Sequence, residues 1–183
     1  MRVISGILKS RVFDVPDIVV RPTKAQVREA IFSSLGSNCS GWDVLDLFAG
    51  AGSLGIEAWS RGATSVDFVE KHPQVWNVLQ KNIQKLESDE LGATRCVKGD
   101  FLHYLNQTSK QYDLIFADPP YDLPDAMEQT LNAIVQHSVL TSTGIVVYEL
   151  RRSGTVVIPP EMDVLREKVY GKTRVLMLKV REG

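Results

Sequence analysis

The chain has 183 residues, 44% hydrophobic and 23% charged, with a net charge of −1. That is the make-up of an ordinary soluble globule large enough for one full core, and any polyanion partner must be sought in local charge. Two cysteines, Cys39 and Cys96, without histidines at ligand spacing argue against a disulfide scaffold or a zinc site, and no metal is expected.

In chain order, residues 1–20 read as a small unit, a hairpin with strands at 2–7 and 11–15. Residues 23–35 predict a helix with Thr23 as N-cap and Gly36 just past its end. From Trp42 the pattern alternates. A strand at 42–47 enters a glycine-rich turn, and Ser53 opens a helix that Gly62 closes. A second strand at 66–69 precedes a helix begun by Pro73, with Val75, Leu79, Ile83 and Leu86 on one face. A third strand spans 94–97, and a short helix follows Asp100. The fourth strand ends at Asp118, before a helix carrying Met127, Leu131, Ile134 and Val135. The fifth spans 144–150. In the tail, 164–169 and 175–180 are strand-like with only Tyr170-Gly171-Lys172 between them, which predicts an antiparallel pair. Alternation of strands and helices implies an α/β fold, a mostly parallel sheet with helices on both faces. The expected division is an N-terminal extension over 1–36 packed on a main domain over 37–183.

The sharpest chemical signal is Asp118-Pro119-Pro120-Tyr121 after the apolar run 114–117. Two prolines remove two amide donors and fix φ twice, and each forces its predecessor into extended backbone. The product is a stiff corner with outward carbonyls, a carboxylate before it and an aromatic face after it. A planar base with an exocyclic amine suits it: Asp118 and the Pro119 carbonyl accept its N–H bonds, Pro120 stiffens the corner, and Tyr121 stacks on the ring. Upstream, Asp46-Leu47-Phe48-Ala49-Gly50-Ala51-Gly52-Ser53-Leu54-Gly55 holds G-x-G-x-x-G between a strand and a helix. Gly50 and Gly52 are expected to let backbone approach a ligand. Glu70 at the next strand end suits ribose hydroxyls, with Lys71 beside it. Asp100 suits the amine of an adenine, with Phe101 packing nearby. Asp46 suits a cationic amine and sits badly with a pyrophosphate. Four acids at the carboxyl ends of four consecutive strands would line one crevice. The implied ligand is a nucleoside with a positive amine: S-adenosylmethionine fits and NAD fits poorly.

These ordered motifs resemble those of S-adenosylmethionine-dependent amino-methyltransferases. More narrowly, Arg21-Pro22-Thr23 with Val27-Arg28-Glu29-Ala30-Ile31-Phe32, the opening Arg2-Val3-Ile4-Ser5-Gly6 and Arg166-Glu167-Lys168-Val169 resemble the RsmD type. The resemblance covers nearly the whole chain. It implies a Rossmann-like class I methyltransferase fold with a seven-stranded sheet, and methyl transfer to N2 of a guanine in 16S ribosomal RNA of the small subunit. S-adenosylhomocysteine would be the by-product. One departure is that residues 24–26 are Lys24, Ala25 and Gln26, where this family often carries a further arginine. RNA contact is expected from the basic excess over 1–28, namely Arg2, Lys9, Arg11, Arg21, Lys24 and Arg28, together with Thr23. Lys24 and Arg28, four apart, would share one helix face.

The alternatives are a DNA or RNA adenine-N6 methyltransferase, a protein-glutamine methyltransferase, an NAD-dependent oxidoreductase and a non-catalytic ribosomal RNA-binding assembly factor. The first usually needs a recognition domain with no room here. The second usually has Asn in place of Asp118. The third leaves the Asp-Pro-Pro-Tyr corner unexplained, and the last leaves the acids without a task. No run reaches the ~18–20 apolar residues needed to span a bilayer, and Ser5, Lys9, Ser10 and Arg11 interrupt any signal-peptide core. A cytoplasmic monomer is expected.

Overall fold

A computed structural model describes residues 1–17, 23–120, 123 and 125–181. A seven-stranded sheet runs in the order β3-β2-β1-β4-β5-β7-β6. Its strands are β1 (Asp43–Asp46), β2 (Ser65–Glu70), β3 (Ala93–Lys98), β4 (Tyr112–Ala117), β5 (Leu140–Arg151), β6 (Met162–Tyr170) and β7 (Thr173–Val180). The first five are parallel, and β7 inserts antiparallel between β5 and β6. The expected antiparallel tail pair is therefore present. Chain reversal over two residues makes that geometry obligatory, since a parallel return needs a long crossover.

Among the described residues, five helices cover the sheet: α1 (Ala25–Ser34), α2 (Ser53–Ser60), α3 (Pro73–Leu86), α4 (Phe101–Gln107) and α5 (Ala126–Gln136). Val27, Ile31 and Phe32 of α1, with Leu54 and Ile56 of α2 and Leu79 of α3, pack on the face carrying Val44, Phe68, Phe116 and Val147. Leu105 of α4 and Leu131 and Ile134 of α5 cover the opposite face, built from Leu45, Ile115 and Val146. Each such side chain, fully buried, contributes about 1.5–3 kcal/mol. Gly36 follows α1 as expected: the Ser37 amide bonds the Phe32 carbonyl at 2.8 Å, a Schellman closure.

Three local expectations fail. Residues 1–17 pair antiparallel only briefly, through an Arg2–Val12 bridge with the Val3 amide on the Arg11 carbonyl at 3.0 Å and the Phe13 amide on the Met1 carbonyl at 2.9 Å, and strands of the expected length over 2–7 and 11–15 do not form. Gly6 breaks the first segment: its φ is +83°, and a Cβ there would lie 1.8 Å from the Ser60 carbonyl oxygen. This arm docks on α2 instead, where Glu57 accepts the Ile4 and Ser5 amides at 2.9 and 3.0 Å. The N-cap of α1 is Lys24, and Thr23 does not cap. Arg28 does not share an open face with Lys24. It is 1% exposed and donates to the Thr23 and Arg2 carbonyls at 3.3 and 2.9 Å, because the N-terminal arm covers that side of α1. Burial lowers its pKa against the opposing pull of Glu57.

Candidate active site

The carboxyl ends of the parallel strands open into one cavity of about 1280 Å³. That exceeds the roughly 300–1,000 Å³ usual for a single drug-sized ligand, so a nucleoside and a second planar group both have room. Asp46, Phe48, Ala49 and Gly50 line it from the β1 side, with Glu70 and Lys71 from β2 and Asp100 and Phe101 from β3. Asp118, Pro119 and Pro120 complete it from β4. Strand parity puts Asp46, Glu70 and Asp118 on the face that α1–α3 cover, since Asp46 pairs with Phe68 and Phe116.

The acids near β1–β3 are held by the chain itself. Asp46 is buried and accepts the Gly55 amide at 2.9 Å. Burial pushes its pKa to about 7, opposed by that bond and assisted by the charge of Glu70. Glu70 accepts the Gly50 amide at 2.9 Å and the His72 amide at 2.7 Å, so it fixes the glycine loop. Asp100 caps α4 through the Leu102 amide at 3.0 Å and meets Lys71 Nζ at 3.2 Å. Partial burial raises its pKa, but Lys71 and the α4 amides outweigh it and hold the carboxyl below its ordinary value. Phe48 and Phe101 stand in contact with ring centroids 4.7 Å apart and form an apolar wall beside these groups. Gly52 does not line the cavity. Its φ is +90° and its open side faces Leu79 Cδ1, 2.7 Å from where a Cβ would stand, so its missing side chain leaves room for helix packing.

The β4 end is different. Asp118 receives the Thr23 hydroxyl at a long 3.4 Å. Burial first, then the charges of Glu149 and Asp46, push its pKa well above the ordinary carboxylate range. Thr23, expected against RNA, is thus buried in the site. Glu149 was not foreseen. The parallel register pairs Ala117 with Tyr148, and one step further brings Asp118 beside Glu149. Its signal was an acid inside the apolar fifth strand, the same strand-end pattern as the other four. Arg151, Tyr170 and Lys172 also line the mouth, from β5 and the β6–β7 turn. Lys24 lines it as well, whereas Arg2, Lys9 and Arg11 are exposed on the N-terminal arm and do not. Arg21 and Tyr121 lie outside the described residues.

No cluster able to hold a metal occurs among the described residues. The lining suits a cationic nucleoside: an acid for a positive amine, a second acid for hydroxyls and an aromatic wall. Such a sheet, with β7 reversed between β5 and β6 and acids at its strand tips, defines a class I methyltransferase. A family model described as Conserved hypothetical protein 95 matches residues 1–179. Ribosomal RNA small subunit methyltransferase D of Escherichia coli is 32% identical over 174 residues, 94% of this chain and 86% of that protein. The Haemophilus influenzae protein of the same name is 32% identical over 93% of this chain and 89% of its own. The solved structure of yhhF from Escherichia coli superposes with a TM-score of 0.87 at 30% identity, covering 98% of this chain and 97% of that one. The chain belongs to this family, the RsmD methyltransferases.

Proposed function

We propose that the protein transfers a methyl group from S-adenosylmethionine to the exocyclic N2 amine of a guanine in 16S ribosomal RNA of the small subunit. The observation that carries this is the meeting of a cation-suited acid set and the Asp118-Pro119-Pro120 corner in one cavity. The names of the relatives support ribosomal RNA as the substrate.

When bound, S-adenosylmethionine supplies an electrophilic methyl on a sulfonium. Asp46 would face its amine, Glu70 its ribose, and Phe48 and Phe101 its base. The protein's main task is alignment, which can supply roughly 7–11 kcal/mol. Asp118 and the Pro119 carbonyl accept the N2 hydrogens, holding the nitrogen lone pair toward the methyl. Asp118 is also suited to take the proton that N2 loses, since its raised pKa makes it a better base than an exposed aspartate. Tyr121 would stack on the base, worth roughly 1–3 kcal/mol. A guanine that begins paired must be turned out to reach this depth.

Labelled S-adenosylmethionine incubated with unmodified ribosomal RNA, free and in small subunits, tests the proposal. Nucleoside analysis should return N2-methylguanosine; label on another base or atom, or none on RNA, would defeat it.

A further inference from the structure

Glu149 has no task in the chemistry above, although it stands in the cavity wall. It is 8% exposed, and its Oε2 has no hydrogen-bond partner among the described residues. Leaving a buried carboxyl oxygen unpaired is costly, and its neighbours do not remedy the deficit. The Thr23 hydroxyl reaches Asp118 at 3.4 Å and stands near enough to Glu149 to oppose the rise of its pKa, yet it has a single hydrogen to give. Two carboxyl groups therefore stand side by side with more acceptor capacity than the protein satisfies.

Guanine matches this deficit. Its N1–H and N2 amine are adjacent donors on one edge. Adenine instead puts the acceptor N1 beside its N6 amine, and cytosine puts the acceptor N3 beside its N4 amine. We propose that Glu149 selects the target base by accepting the N1–H of guanine while Asp118 receives the N2 amine, an assignment that rests on the guanine-N2 function proposed above. Burial holds the free Glu149 carboxyl above its ordinary pKa. A donor arriving at Oε2 offsets that burial and favours the ionised form, which repels an acceptor at the same position. Glu149 and Asp118 thus divide the work: one chooses the base and the other handles the reacting nitrogen.

The test uses small-subunit RNA carrying either guanine or 2-aminopurine at the modified position, in whichever state, free or assembled, the wild-type protein methylates. 2-Aminopurine keeps the N2 amine but presents N1 as an acceptor. The wild-type protein should prefer guanine in kcat/KM on the order of 100-fold, the range of a charge-assisted hydrogen bond. In Glu149→Ala the ratio should fall to within a few-fold of the value set by the two amines alone. Glu149→Gln, whose amide can turn to accept from one base or donate to the other, should also compress the ratio while keeping more guanine activity than Glu149→Ala. Each ratio is internal to one variant, so partial loss of folded protein cancels. N2-methylguanosine from the wild-type protein with an unchanged ratio in both variants would overturn the role of Glu149 alone. Product at another base or atom in the wild-type protein would remove the guanine-N2 function, and this assignment with it.

Discussion

The two halves of the cavity treat their acids in opposite ways. At the β1–β3 tips, Asp46, Glu70 and Asp100 are bonded to backbone amides of α2, of the glycine loop and of α4. At the β4–β5 tips, Asp118 receives one threonine hydroxyl at 3.4 Å, and Glu149 Oε2 beside it has no hydrogen-bond partner among the described residues. The satisfied acids hold a shape that exists before ligand arrives. The unsatisfied pair holds unused acceptors, which is where a substrate with donors gains most by binding.

The largest effect expected from this contrast is at Asp118. Asp118→Ala should lower turnover by about 10³-fold or more, in the range of lost alignment and proton acceptance together, while cofactor affinity measured by equilibrium dialysis changes little. Unchanged turnover would place the chemistry elsewhere. Asp46 comes next, through stability. Its folded pKa of about 7 lies above an unfolded value near 4. Below that lower value both states hold the proton, and Asp46 makes no pH-dependent difference. Between about pH 4 and 7 only the unfolded chain releases it, so stability falls as pH rises, by on the order of 4 kcal/mol in total. Asp46→Asn keeps an acceptor for Gly55 and should flatten that fall, visible as a melting temperature at pH 8 higher than that of the wild-type protein without ligand. An identical pH slope in both proteins would refute the burial effect.

Glu70→Gln tests the ordered half more gently. One carboxylate now serves two amides, and an amide group has a single oxygen to offer. A loss of 10–100-fold in cofactor affinity is expected, equal to about 1.4–2.7 kcal/mol, with turnover at saturating cofactor nearly kept. A loss confined to turnover would move Glu70 to the other half. The smallest effect belongs to the mouth: Lys24→Glu should weaken RNA association about equally across sequences and reduce its salt slope by about one or two. An unaltered slope would exclude Lys24 from phosphate contact. The Arg28 charge offers no such test, because it is sealed beneath the N-terminal arm.

Much of this was legible in the chain. The strand–glycine turn–helix from Asp43 to Ser60, the Pro73 helix and the reversed tail pair all follow local rules, and each lies within a residue or two of its expected bounds. So do the four acids, since a strand end is a local feature. What stayed hidden depends on neighbours far away in sequence. Thr23 looks like a helix cap until Asp118, 95 residues on, arrives to accept its hydroxyl. Arg28 looks solvent-facing until the Met1–Asp17 arm folds across it. Glu149 sits inside a strand of hydrophobic character, and only the β4–β5 register reveals that it ends beside the Asp118-Pro119-Pro120 corner. Gly52 belongs to a ligand-loop motif yet spends its missing side chain on Leu79.

The clasp between Glu57 and the amides of Ile4 and Ser5 has a consequence for how the protein can be trimmed. Glu57 is 1% exposed and also grips Arg61 at 2.9 Å. Removing the first handful of residues would strip two donors from a carboxylate in the interior and uncover Arg28 at the same stroke. A shortened chain would then lose RNA binding by coming apart, whatever its surface charges do. Single charge swaps at Lys9 or Arg11, which leave the clasp closed, separate adhesion to RNA from the integrity of the fold.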